Sequence, residues 1–205
     1  MNTRRNLVTG MGVAALGLIA MPGLTLEQPR ARRAAGDNSY FPNARLLTHE
    51  GKEVRFYDDL IRGKVVAINM MYVSCSGRCP TATANLLRVQ KMLGERVGRD
   101  VFMYSITLQP ELDRPQQLKA FVERHGVGPG WLFLTGDPPD VEQLRLSLGF
   151  YDVNPEVDAN LANHSGMVRI GNDVYERWTM APALAEPEQI LSTINHVDSR
   201  VVHTA

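Results

Sequence analysis

The chain has 205 residues, 44% hydrophobic and 7% aromatic, enough for one domain with a packed core plus a tail. Its 22 basic and 22 acidic residues cancel, so no overall field draws it to nucleic acid or to an anionic membrane surface, and no nucleic-acid partner is expected. The two cysteines, separated by only three residues, cannot build the multi-bridge framework of a small secreted fold, so their closeness needs a chemical explanation.

Residues 1–26 read as an export signal or membrane anchor. Arg4 and Arg5 stand directly before an apolar, Gly/Ala-rich stretch from Leu7 to Leu26, the charge order of a secretory leader, and the arginine pair fits twin-arginine export of a protein folded beforehand. Gly10, Gly12, Gly17, Pro22 and Gly23 interrupt the stretch and weigh against a retained spanning helix. Residues 27–39, with Arg30, Arg32 and Arg33, read as a basic linker, and residues 40–200 as the folded domain. The expected location is periplasmic or otherwise extracytoplasmic, with membrane contact only through the N-terminal segment if it is kept.

Within the domain, Gly63-Lys64 is a turn, and Val65 to Tyr72 is a near-continuous apolar run of the kind that makes a strand buried on both faces. Pro80 suits a first helical position, and Leu86, Leu87, Val89, Met92 and Leu93 recur at helical spacing until Gly94. Val101–Ile106 reads as a strand. A helix then opens at Asp113 or Arg114, runs through Leu118, Phe121 and Val122, and is closed by Gly126. Trp131–Leu134 is a third strand and Val141–Leu148 a third helix. Met167–Ile170 and Val174–Trp178 form a hairpin turning at Gly171-Asn172, and Pro187–Val197 is a last helix. The order predicts an α/β fold: a central mixed sheet with helices on both faces.

Cys75 and Cys79 occupy the loop at the carboxyl end of the strongest strand, where open α/β sheets bind their ligands. At a helix N-terminus the dipole and unpaired N–H groups favour an anion, so the Cys79 thiol is expected to ionise more readily than usual. Three intervening residues let the sulfurs bond to each other or to one soft metal ion, and spacing alone does not choose. Thioredoxin-type redox pairs have two intervening residues, which tilts this pair toward metal. A dithiolate leaves an ion such as Cu(I) wanting one more ligand. Of the five histidines, His164 lies in a polar turn before the hairpin, whereas His49, His125, His196 and His203 have bland explanations in an exposed stretch, a helix end and the C-terminal region. A lone histidine in a turn is more often a surface residue, so position alone leaves His164 open. Met70, Met71, Met103 and Met167 read as packing residues rather than ligands.

Gly63-Lys64-Val65-Val66, the segment Cys75 to Thr81, Pro110 to Pro115, Trp131 to Gly136 and His164-Ser165, in this order, resemble the Sco/SenC family from about Phe41 to Ile194. The resemblance implies a thioredoxin-like fold and a role in copper delivery to the dinuclear copper centre of cytochrome c oxidase, with thiol redox work as the alternative. It maps the family's Cys-x-x-x-Cys-Pro motif onto Cys75, Cys79 and Pro80 and its distant histidine onto His164, which gives one copper ion, Cu(I) or Cu(II), three ligands. It implies a non-enzymatic chaperone with a cuproenzyme subunit as acceptor and an upstream copper donor. As a thiol-disulfide oxidoreductase, the protein would carry Cys75 and Cys79 as its redox-active pair. Two departures stand out: Ser76-Gly77-Arg78 replaces a loop that commonly holds Pro and an acidic residue, and Gln109 stands where the family has an aspartate.

Overall fold

In chain order the first elements are strands β1 (Arg45–Thr48) and β2 (Glu53–Arg55), followed by a π-helical turn over Phe56–Ile61. The computed structural model describes residues 40–164 and 166–199; the leader, the basic linker, Ser165 and His203 lie outside the described residues. Strand β3 (Val65–Met71) is buried at every position, as its apolar run predicts, because helices cover both sides of it. Next come α1 (Arg78–Leu93), β4 (Val101–Thr107), α2 (Pro115–His125), β5 (Trp131–Gly136) and α3 (Pro138–Ser147). A single turn α4 (Pro155–Asp158) and a 3₁₀ turn over Leu161–His164 lead into β6 (Met167–Asn172), β7 (Arg177–Pro182) and α5 (Pro187–Asp198).

The seven strands form one sheet in the order β2-β1-β5-β4-β3-β6-β7. Strands β3, β4 and β5 run parallel, whereas β1, β6 and β7 join antiparallel. Alternation along β3 divides the core: Val65, Ala67 and Met71 face one side with Leu86, Val89, Phe121 and Ile190, while Val66, Ile68 and Met70 face the other with Phe56, Leu60 and Leu144. The predicted mixed α/β sheet with helices on both faces is what the chain forms.

The start of α1 and the hairpin turn differ from the sequence expectation. Helix α1 begins at Arg78, so Cys79 lies inside its first turn and Pro80 one position further on, where the missing N–H still has no intrahelical partner to lose. Helix α2 opens as expected, with Arg114 as its N-cap, and the Asp113 side chain is used elsewhere. The hairpin turns at residues 173–176, not at Gly171-Asn172: both belong to β6, and Gly171 is needed there because the Trp178 ring lies across it. A Cβ at 171 would sit 2.0 Å from Trp178 Cε3. Gly171→Ala should therefore cost about 1–3 kcal/mol by overpacking, visible in urea unfolding as a lower midpoint with unchanged slope. Strands β1 and β2 were too short to stand out. His49, expected in an exposed stretch, is half-buried: its Nδ1 accepts the Phe133 N–H at 3.2 Å, and burial, the largest influence, lowers its pKa.

Candidate metal and thiol centre

The loop from Tyr72 to Gly77 is held by main-chain and side-chain bonds from the neighbouring crossover. Leu108 N–H donates to the Met71 carbonyl at 2.7 Å, which extends the β3–β4 pairing by one bond. Beyond it, the Asp113 carboxylate, 3% exposed, accepts the Val73 N–H at 3.0 Å and the Thr107 hydroxyl at 2.5 Å through the same oxygen. Ser74 donates to the Gln109 side-chain oxygen at 3.0 Å. Gln109, the departure noted in the sequence, thus braces the loop with a neutral amide where a carboxylate would bring a negative charge close to the sulfurs.

The two sulfurs are not bonded to each other, and both residues are buried, Cys75 at 8% and Cys79 at 1% exposure. The N-cap residue Gly77 has no side chain to bond into the first turn of α1, and the Cys75 sulfur takes that role by accepting the Cys79 N–H at 3.4 Å. Burial, the largest single influence, pushes the Cys75 thiol pKa up. It is outweighed by hydrogen bonds from the Cys79 thiol, from the backbone N–H groups of Cys79 and Gly77 and from the Tyr72 hydroxyl, so the net shift is downward. Cys75 is thus a thiol whose environment favours the thiolate. The same contact raises the Tyr72 pKa, since its hydroxyl proton is held on the Cys75 sulfur. Alkylation of the reduced protein with iodoacetamide should accordingly show Cys75 reacting with a midpoint below that of an ordinary thiol, and Tyr72→Phe should move that midpoint upward, read by peptide mass spectrometry across pH.

His164 is buried at 4% and held in a different cluster. Its Nε2 lies 2.7 Å from the Asp158 carbonyl oxygen. A carbonyl can only accept, so Nε2 carries the proton and the lone pair of the neutral ring is on Nδ1, a tautomer assigned from the partners. Arg145, 7% exposed, pairs with both Glu142 and Asp158, donates to the Phe150 carbonyl at 2.8 Å, and approaches His164 Nε2 at 3.4 Å as an adjacent cation. The bond from Arg145 holds the Asp158 carboxyl down at about 2. A carboxyl lowered in this way stabilises the fold above the ordinary carboxylate range, and that contribution is lost as pH falls toward 2.

The structure therefore brings Cys75 and Cys79 together and keeps His164 on the Arg145–Asp158 cluster. Among the described residues no group of three His, Cys, Asp or Glu side chains is gathered as a metal site. The donor set at the loop suits a soft ion: two adjacent sulfurs, one of them favoured as thiolate, and no bulky neighbour at Gly77, where a Cβ would meet nothing within 4 Å. Tyr72 and Asp113 were not singled out from sequence as supports of this loop. Tyr72 is legible afterwards by its place immediately before the loop, whereas Asp113, which reads as a helix opener, was hidden by its cap-like position. Arg145 gave no signal at all, being one charged residue on a helix.

The family model described as SCO1/SenC matches residues 33–198. A SCO1 protein homolog of Bacillus subtilis is 30% identical over 127 residues, covering 60% of this chain and 64% of that protein, so the match spans less than two-thirds of the relative's length. Yeast Sco1, solved with copper bound, superposes with a TM-score of 0.61 at 20% identity, covering 82% of this chain and 99% of that one. BsSco, described as having a disulfide switch and as a member of the Sco family of cytochrome c oxidase assembly proteins, superposes at 0.59 with 24% identity, covering 77% and 92%. These likenesses give the sheet and its crossovers their name, a thioredoxin-like fold, and the match over residues 33–198 places the chain in the SCO1/SenC family.

Proposed function

We propose that the protein is a copper metallochaperone that holds one copper ion on Cys75, Cys79 and His164 and passes it by ligand exchange to a cuproenzyme. The dinuclear copper centre of cytochrome c oxidase is the acceptor in view, with an upstream copper donor supplying the ion. Copper is cargo here, and no substrate is turned over. The observation that carries the reading is the thiolate-favouring environment of Cys75 beside Cys79 at a strand-to-helix loop. To join them, His164 must leave the Asp158 carbonyl, a hydrogen bond worth about 0.5–1.5 kcal/mol net, which a metal–imidazole bond readily offsets. The copper bound to yeast Sco1 supports the choice of ion. Extracytoplasmic location belongs to the same proposal and rests on the Arg4-Arg5 leader; no described helix is long and apolar enough to cross a membrane. The test is the metal content of protein purified from its native compartment, paired with a thiol count. One copper per chain with both thiols reduced is expected; a Cys75–Cys79 disulfide without metal would overturn the reading.

A second reading is supported by the unequal exposure of the pair. As a thiol-disulfide oxidoreductase, the Cys75 thiolate attacks a disulfide between the acceptor's copper-ligand cysteines, forming a mixed disulfide and releasing one acceptor thiolate. The Cys79 thiolate then attacks Cys75, leaving the acceptor as a dithiol and this protein as a disulfide, two electrons having moved. An external dithiol reductant resets the pair. The disulfide switch described for BsSco is in line with this chemistry. With Cys79→Ser, a mixed disulfide through Cys75 should accumulate on an oxidised acceptor domain, and its absence would exclude the step.

A further inference from the structure

Two methionines differ in their surroundings from the rest of the core set. Met70, Met71 and Met103 are sealed at 0%, 1% and 1% exposure, as packing residues are. Met167 and Met180 are only partly buried and line, together with His164, a cavity of about 110 Å³. In the β6–β7 register Met167 lies opposite Pro182 and Met180 opposite Arg169, so the two thioethers are diagonal neighbours on one face of the antiparallel pair, about 7–8 Å apart at the backbone and within reach of each other's long side chains. The Met180 sulfur lies 3.8 Å from the place a Cβ on residue 149 would take; Gly149, at φ +82°, leaves that sulfur uncovered. Since the His164 Nε2 proton is committed to the Asp158 carbonyl, the donor atom the ring has left is Nδ1.

We propose that His164, Met167 and Met180 form a second, weaker Cu(I) site, in which the ion is held before His164 carries it to Cys75 and Cys79. Thioethers and imidazole select Cu(I) over harder cations, and all three ligands are neutral. Asp152 lines the same cavity, and its carboxylate, which accepts the Asn154 N–H at 2.8 Å, is a nearby countercharge, while Arg169, opposite Met180 and stacked over Trp178 at 5.7 Å, opposes it and keeps the affinity low. The charges of Arg145 are already answered by Glu142 and Asp158. Transfer is ligand exchange without change of oxidation state: two Cu–thioether bonds break as two Cu–thiolate bonds form, His164 stays bound, and any proton on a cysteine passes to solvent. Thiolates bind Cu(I) more tightly than thioethers, so the movement runs downhill. Binding at the methionine site does not depend on the metallochaperone reading; only the destination of the ion does.

The test uses the full chain carrying Cys75→Ser and Cys79→Ser, titrated without oxygen with Cu(I) and with Ag(I) as a redox-inert probe. One ion should bind, and the ε-methyl NMR signals of Met167 and Met180 should shift with Ag(I) while those of Met70, Met71 and Met103 stay in place. Met167→Leu with Met180→Leu, close in volume and therefore compatible with the fold, should weaken binding at least tenfold. Unmoved Met167 and Met180 methyls at saturating Ag(I), or unchanged affinity in the leucine pair, would overturn the proposal. If the leucine pair unfolds, the methyl shifts decide alone. Because the cysteines are absent, failure here is separate from failure of the copper site on Cys75 and Cys79, which is read in the unsubstituted protein.

Discussion

Copper titration of the reduced protein should show one tight site, and Cys75→Ala or Cys79→Ala should each weaken it at least 100-fold. The magnitude follows from what a ligand does. Disturbing a hydrogen bond to a metal ligand commonly costs 10- to 100-fold in affinity, so removing one of two sulfur donors must exceed that, about 2.7 kcal/mol or more. Cys75→Ala has a further effect that Cys79→Ala lacks: it removes the acceptor of the Cys79 N–H in the first turn of α1, so the helix start loosens together with the ligand set. His164→Ala should cost less, about 10- to 100-fold, since the two sulfurs still hold the ion and the imidazole has to be recruited from the Asp158 carbonyl in any case. Titration against a competing Cu(I) chelator reads all three. Unaltered affinity in the three variants would remove the proposed site altogether.

Asp113→Ala should lower stability by about 3 kcal/mol, roughly 6–12 °C in unfolding temperature for a domain of this size. One buried carboxylate oxygen serves both the half-buried Val73 N–H and the Thr107 hydroxyl, and Thr107, fully buried, has no water to turn to. Truncation leaves both donors near an apolar hole, each unsatisfied group costing about 1–3 kcal/mol before relaxation. The loss is located where function would register it, because Val73 is two residues before Cys75. Copper affinity should therefore fall along with stability, by about tenfold or more, whereas Gly171→Ala, at the far side of the sheet's β6–β7 pair, should lower stability and leave copper affinity unchanged. Asp113→Asn, which keeps an oxygen at the same place, should recover most of both. Thermal unfolding and chelator competition on the same samples separate the two effects, and an Asp113→Ala protein with full copper affinity would show that the loop does not depend on this brace.

Much of the central sheet was legible because its signals are local and redundant. The run Val65–Met71 is apolar at every position, which only a strand covered on both faces requires, and the strand-helix alternation after it leaves few topologies. The cysteine pair was legible for the same reason: spacing, a strand before and a helix after are all read along the chain. The edge of the sheet was not. Strands β1 and β2 have four and three residues, too few for alternation to rise above chance, and they exist because β5 offers an antiparallel edge to β1. Gly171-Asn172 looked like a turn from composition, and only the Trp178 ring lying on Gly171 shows why a glycine belongs inside β6.

By itself, then, the sequence determined the α/β order, the family resemblance and the place of Cys75 and Cys79 at the mouth of a parallel strand, since each depends on residues near one another in the chain. Tertiary structure alone decided that the Cys75 environment favours its thiolate, that Asp113 and Gln109 brace the loop, and that His164 rests on the Arg145–Asp158 cluster beside Met167 and Met180. Those outcomes depend on hydrogen bonds and burial between segments up to 40 residues apart, as from Asp113 to Val73, and on which face of a strand meets which neighbour. Short-range pattern carries propensity and periodicity; it does not carry the direction in which a buried proton, a lone pair or a thioether sulfur is turned.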